Sequence, residues 1–268
     1  QNVFSSAEII PVDKNGVIDI NALERMLHAS AQPALIAVMY VNNETGVIQP
    51  IQEIAAIAKK HNALVHCDAV QAFGKLPLDF NKLDIDTMTI CGHKVGGPVG
   101  IGAIVCKSAA YIEPLMFGGK QEQQRRAGTE SVALTAGLAA LVEYHDFIET
   151  KVLQHALETS LPASAIVAGQ AAPRVGNTTC IIMPGVASET QLMHFDLAGI
   201  AVSTGSACSS GKVTASHVLA AMGYDEFLAK SAIRVSYGWN TSNADIDKFL
   251  QAWWALYDRT SQPLEKAA

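Results

Sequence analysis

The sequence predicts an α/β fold, with a large domain on a parallel or mixed sheet over residues 1–148 and a smaller α+β domain over residues 149–268. Two apolar runs of strand length, residues 34–41 (ALIAVMYV) and 63–67 (ALVHC), read as strands buried on both faces. Between them Ile51, Ile54, Ala55 and Ala58 keep helical spacing, so the three segments form a β-loop-α-β unit, the mark of a parallel sheet. After Leu161 and Pro162, which close a helix, strand and helix patterns mix less regularly, so the domain change is placed near this helix, at its start.

Each element has a local reason. Asp19 precedes an amphipathic segment with Leu23, Met26 and Leu27 on one face, the first helix. The polar loop NNETG (42–46) follows the first strand, and helical spacing then runs through to Lys60. The apolar run 87–90 leads into ICGHKVGGPVGIG (90–102), where glycines at 96, 97, 100 and 102 mark backbone that turns tightly or approaches a ligand. Residues 101–105 read as a strand, and 118–129 as a donor-rich loop bounded by glycine. A helix is expected over 131–149, with Leu134, Leu138, Leu141 and Val142 inward, and another over 151–159.

In the second half, residues 178–183 read as a strand, and Ser188 with Gln191 as a capping box opening a helix that Gly199 closes. Residues 214–222 form a short helix ended by Gly223, and 233–237 a strand carrying Arg234. Ser242 with Asp245 opens a last helix that buries Ile246, Phe249, Leu250 and Trp253, and 262–268 read as a frayed tail.

Composition narrows the function. Hydrophobic content of 49% and charged content of 16% over 268 residues suit a soluble globular enzyme. A net charge of −6 argues against a general nucleic-acid binder, which needs clustered Lys and Arg. The longest apolar run, 132–142, is too short to span a bilayer, so no membrane partner is expected. The N-terminus shows no signal-peptide pattern and does not start with Met, so it reads as the middle of a longer chain. Five cysteines at irregular spacing fit neither a disulfide framework nor a zinc site. Reduced thiols in a cytoplasmic protein follow.

Ligands of parallel α/β sheets gather at the carboxyl ends of strands, and Asn43, Asp68 and Lys94 each fall just after an expected strand end. On residue chemistry alone, Lys94 is a surface ammonium, a phosphate contact or an amine that bonds covalently to a carbonyl. Asp68 is a helix N-cap or the partner of a buried cation. A protonated pyridine nitrogen is such a cation, and pyridoxal phosphate enzymes pair a Schiff-base lysine with an acid of this kind. Gln71, on the same side, is solvent-facing or donates to the ring oxygen. Cys208 stands among small residues in STGSACSSG (203–211), either inert in a turn or a travelling nucleophile. Arg234, a charge within an apolar strand, needs an anion: an internal Asp or Glu, or a substrate carboxylate.

In chain order, VNNETG (41–46), HCDAVQ (66–71), GHK (92–94), GGKQEQQRRAGT (118–129), STGSACS (203–209) and IR (233–234) resemble the motifs of the cysteine desulfurases, in the class V branch of fold-type-I pyridoxal phosphate enzymes. The resemblance implies an aspartate-aminotransferase-like fold with an N-terminally incomplete large domain, and pyridoxal 5'-phosphate as cofactor. It implies Lys94 as the Schiff-base lysine, Asp68 as the ring-nitrogen partner and Gln71 as a contact to the ring oxygen. Asn43 would lie beside cofactor and substrate, with Cys91 and His93 near the phosphate. Thr129 would reach the phosphate of the other subunit of a homodimer. Arg234 would hold the carboxylate of L-cysteine, and Cys208 would take its sulfur as a persulfide for an iron–sulfur scaffold or another acceptor, with no resident metal and at most a passing cluster contact at Cys208.

Departures from the family pattern are of two kinds, substitutions within its motifs and motifs with no match here. Cys91 stands where the family has a serine, and a thiol is the weaker phosphate donor. Gly96 and Val99 replace the family's aromatic and lysine. The family's ring-stacking histidine and Gly/Thr phosphate turn have no match here, since His28 and His61 lie in helical patterns. Two other readings stand beside a desulfurase. One is a selenocysteine lyase or another class V enzyme, although an aminotransferase needs no thiol loop. The other is a cofactor-free chain that binds partners in sulfur or iron–sulfur assembly.

Overall fold

The computed structural model of the protein describes residues 7–30, 33–108, 111–143, 150–205 and 215–261. The chain divides into two compact units. Ile20–Val41 and Gln49–Phe147 form one, called here the Lys94 unit. Gln1–Asp19, Asn42–Ile48 and Ile148–Ala268 form the other, the Arg234 unit.

The Lys94 unit runs α1 (Ile20–Ala29), β1 (Leu35–Met39), α2 (Ile51–Lys60), β2 (Leu64–Asp68), α3 (Phe80–Leu83), β3 (Thr87–Cys91), a 3₁₀ turn (His93–Val95), β4 (Gly102–Cys106), the single turn α4 (Gln121–Gln124) and α5 (Val132–Glu143). Its sheet has the order β1-β2-β3-β4. The first three strands are parallel and β4 returns antiparallel to β3, a mixed sheet as expected. Ile51, Ile54, Ile57 and Ala58 of α2 are buried, as are Ile36, Val38, Val65, Cys67 and Met88 of the strands.

The opposite face corrects the expectation that β1 is buried on both sides. Leu35 is 65% exposed, and Met39, Leu64 and Ile104 also stand out. The register aligns Met39, Asp68, Thr89 and Ile104 in one row across this face. Both faces of β1 are apolar in sequence, but its burial alternates, and no described element of the unit covers the second face. The glycines of the turn after β3 have a packing reason. A Cβ on Gly97 would fall 2.3 Å from Leu141 Cδ1, and one on Gly137 2.7 Å from Pro98 Cγ, so bare backbone on both sides lets α5 lie on the turn. Of the helix expected over 131–149, Val132–Glu143 is helical and 144–149 lie outside the described residues.

The Arg234 unit contains α6 (Lys151–Thr159), β5 (Ile166–Val167), β6 (Thr178–Ile182), α7 (Ser188–Leu197), β7 (Ser203–Thr204), α8 (His217–Ala221), α9 (Glu226–Ala229), β8 (Ala232–Ser236) and α10 (Asn243–Ser261). Its antiparallel sheet, ordered β5-β6-β8-β7, has a core on each face. Ile181, Ile233, Phe195, Phe249 and Trp253 fill one side, with the Phe195 and Phe249 rings stacked at 4.8 Å. Cys180, Ile182, Ala232, Leu219 and Met222 fill the other. Every residue of β6 is buried.

The expected capping box at Ser188 is not formed. Ser188 N already donates to the Lys230 carbonyl at 2.8 Å, and the fully buried Gln191 is held by its Nε2, which donates to the carbonyls of Val186 and Ser231, both at 2.8 Å. The cap at Ser242 does form, with Asp245 Oδ2 accepting from Ser242 N at 2.9 Å and from its Oγ at 2.7 Å. The tail expected over 262–268 lies outside the described residues. Among the described residues, no helix is long and apolar enough to cross a membrane.

Candidate functional site

The candidate residues fall into two groups, one within each unit. In the Lys94 unit Asp68 is the last residue of β2 and pairs with Thr89, two residues before Cys91. The strands are parallel, so both chains leave the sheet at the same edge. Gly92 follows, then the turn that carries His93 and Lys94, closed by Gly96 in the left-handed region at φ 83°. A Cβ at Gly92 would come within 3.2 Å of the Pro98 carbonyl, which explains a residue without side chain at the hinge.

The polar atoms at this edge are largely unclaimed. Asp68 Oδ1 accepts from Val70 N at 2.9 Å, and its Oδ2 has no hydrogen-bond partner among the described residues. Gln71 Oε1 accepts from Lys75 Nζ at 2.5 Å, which orients the amide and leaves its NH₂ as the outward donor. His93 and Lys94 are exposed, Cys91 is half-buried, and Cys91 Sγ lies 3.9 Å from His93 Nε2. Thr129 is exposed at the end of the 118–129 loop, where Glu122, Gln123 and Gln124 all take positive φ. The neighbouring Cys67 differs in kind: burial pushes its thiol up to about 12, so it stays protonated and inert.

In the Arg234 unit the guanidinium rises from the centre of β8. Its Nη1 donates to the Asn43 carbonyl at 3.0 Å, and its Nη2 to Ser203 Oγ at 3.2 Å, Ser203 being its partner across β7. Nε is buried and unpartnered among the described residues. Among the described residues no carboxylate pairs with Arg234 directly; its partners there are neutral oxygens. Asn43 contributes its backbone. The side chain that shapes this loop is Asn42, whose Oδ1 accepts from Glu44 N, Thr45 N and Thr45 Oγ1 at 2.9, 3.0 and 3.2 Å.

Glu44 is buried, and its Oε2 accepts a short hydrogen bond from Ser216 Oγ. Burial pushes the Glu44 carboxyl up, against the lowering influence of Ser216, His217 and Arg234. Asn42, Glu44 and Ser203 lie inside the motif stretches 41–46 and 203–209 but carry no role in that reading, and Ser216 lies outside every motif. The one signal for Glu44 is a lone charge in a loop otherwise made of neutral residues. Cys208 lies outside the described residues. The fully buried Cys180, pushed up to about 12 mainly by burial, is not a nucleophile.

The family model for aminotransferase class-V matches residues 5–249. The chain belongs to this family. Among its relatives are cysteine desulfurase 2 of Trichormus variabilis, 43% identical over 251 residues, and a cysteine desulfurase of Gluconacetobacter diazotrophicus, 41% identical over 250. Each match covers 90% of this chain and 62% of the relative. The chain thus spans under two thirds of the length of these curated relatives. The solved NifS-like protein of Rickettsia africae, 36% identical, superposes with a TM-score of 0.87 over 96% of this chain and 71% of its own. The motif resemblance to cysteine desulfurases is borne out, and so is the fold-type-I architecture.

Proposed function

We propose that this chain carries the lysine, acid and carboxylate-binding parts of a cysteine desulfurase that works with pyridoxal 5'-phosphate. The observation that carries the reading is at the sheet edge. The exposed Lys94 amine and the free Asp68 oxygen leave two neighbouring parallel strands at the same end. This donor set fits the cofactor: an amine for its aldehyde, a carboxylate oxygen for its ring N–H and the Gln71 amide for its ring oxygen. His93, Cys91 and Thr129 suit the phosphate, with Thr129 assigned to the phosphate of a partner subunit in a homodimer. Bound there, pyridoxal phosphate supplies a protonated ring that stabilises negative charge at the α-carbon of an amino acid.

The chain's own residues do the rest. Arg234 holds the L-cysteine carboxylate beside Asn43, using its unpartnered Nε. Asp68 keeps the ring nitrogen protonated, and Lys94 Nζ moves the α-proton. The Cys208 thiolate attacks the substrate sulfur. The C–S bond breaks with its electron pair left on carbon, which takes a proton to give L-alanine, and the sulfur stays on Cys208 as a persulfide. A cytoplasmic iron–sulfur scaffold or another sulfur acceptor then receives it.

The purified chain incubated with pyridoxal phosphate is expected to show an absorbance band at the violet edge of the visible, absent in Lys94→Ala. With L-cysteine and a reductant it is expected to release alanine and sulfide in equal amounts. Cys208→Ser should keep the band and lose sulfide. A colourless wild-type chain overturns the reading, and sulfide release by Cys208→Ser overturns the role of that thiol.

A further inference from the structure

The Arg234 unit holds a buried carboxylate that the proposed reaction does not use. Glu44 is 3% exposed and follows Asn43, whose carbonyl accepts from Arg234 Nη1. A carboxylate beside a guanidinium ordinarily closes a two-point pair. The same unit contains one: Arg174 donates to both oxygens of Glu158 at 2.9 and 2.7 Å. Glu44 and Arg234 sense each other electrostatically, yet they do not close such a pair. Instead the Arg234 nitrogens meet two neutral oxygens, and Nε meets none among the described residues.

Ser216 explains the separation. Its Oγ accepts from Leu219 N at 3.1 Å as the N-cap of α8, so one lone pair is committed and its single proton is directed to Glu44 Oε2. The hydroxyl is itself buried, at 1% exposure of the residue, so water does not compete for that proton.

We propose that Ser216 is a positioning residue that holds Glu44 off Arg234, so that the guanidinium stays open to a carboxylate ligand while its charge is balanced at one remove. Without any nearby anion, a half-buried arginine is poorly stabilised. With a direct pair, an incoming carboxylate must first break it. Glu44 tied to Ser216 avoids both outcomes. The inference rests on the reading of Arg234 as the carboxylate-binding residue.

The test measures binding of L-alanine and of L-alaninamide, by calorimetry, to the chain incubated with pyridoxal phosphate. The two ligands share the amine and differ in the carboxylate. Ser216→Ala is expected to weaken L-alanine by about ten-fold or more, the scale of one charge-assisted hydrogen bond, and to leave L-alaninamide unchanged. Ser216→Gly, which retains most of the capping stability, is expected to do the same. Adding Glu44→Gln to either variant is expected to restore L-alanine binding, because the freed competitor has lost its charge. A purely structural role for Ser216 predicts equal loss for both ligands and no rescue. That pattern, or unchanged binding in Ser216→Gly, overturns the proposal. Arg234→Ala separates the two layers. If it leaves L-alanine binding intact, or if the wild-type chain takes both ligands equally, the carboxylate reading of Arg234 falls and this inference with it. If Arg234→Ala abolishes the preference while Ser216→Gly keeps it, only the role of Ser216 falls.

Discussion

The two sheets of this molecule invert the usual relation between strand direction and cover. Parallel sheets are normally buried on both faces, whereas antiparallel sheets commonly keep one face wet. Here the antiparallel sheet of the Arg234 unit is covered on both sides, and all of β6 is buried. The strands β1, β2 and β3, parallel to one another, have helices against one face, and their other face shows Leu35, Met39 and Leu64. The difference matters for chemistry. Asp68 and Cys91 lie on the open face of the Lys94 unit, in register with exposed neighbours, so their polar atoms are free to meet a ligand. Arg234 lies within a closed unit, where its Nη1 and Nη2 each donate to one protein oxygen and its buried Nε has no partner among the described residues.

The sharpest way to break this comparison is to damage the closed unit. Trp253 is fully buried and Phe249 stacks beside it. Trp253→Ala is expected to cost about 3–5 kcal/mol in urea unfolding, since the surroundings cannot collapse into the void. Next comes the Glu158–Arg174 pair, with both side chains 8% exposed and Thr179 Oγ donating to the carboxylate at 2.9 Å. Arg174→Met leaves that carboxylate buried without its cation and is expected to cost about 3 kcal/mol. A loss below about 1 kcal/mol at either position would mean that the unit is less closed than its burial indicates.

The open face gives the converse expectation. Leu35 keeps most of its surface in water, so Leu35→Ser is expected to change stability by less than about 0.5 kcal/mol and to lower any tendency of the chain to self-associate. A cost comparable to a core substitution would show that something covers this face in solution. Sedimentation of wild type and variant at matched concentration distinguishes the two outcomes.

How much of this was legible beforehand depends on the range of the interaction. The helical spacing of α2, the β2 strand end at Asp68 and the glycine turn at Lys94 are local patterns, and each appears where the sequence indicates. The two-residue strands β5 and β7 are too short to show a period, and α9 has only one turn. The cover over β1 is a tertiary fact, because ALIAVMYV is apolar on both sides whether or not anything packs there. The same holds for Gln191, whose local pattern is a cap and whose amide instead donates to the nearby Val186 carbonyl and to that of Ser231, 40 residues on. Glu44 and Ser216 are 172 residues apart, so no window of sequence brings them together. The candidates for chemistry are readable by residue type and by the motif resemblance, and their roles are proposals. Those that hold them in place were not.

The smallest expected effect concerns what holds the open unit together at its surface. Asp84 ends α3 in the left-handed region at φ 59° and receives two ammonium groups, Lys107 Nζ at 2.8 Å and Lys59 Nζ in closer contact. These two bonds, Lys107 first, hold its carboxyl at about 2, below the ordinary 3.8. The folded value is depressed, so the contribution is present in full above the unfolded value near 3.8 and is lost as the pH falls through about 2. Asp84→Asn is therefore expected to lower the urea midpoint slightly at neutral pH, with a difference that shrinks as the pH falls towards about 2 and vanishes below it. All three partners are well exposed compared with Arg174 and Glu158, so salt screens them. The Asp84→Asn difference should shrink in about 1 M salt, where the screening length is roughly 3 Å, while the Arg174→Met difference should persist. If both differences respond to salt alike, the two units are not held by the different kinds of charge pair that their burial indicates.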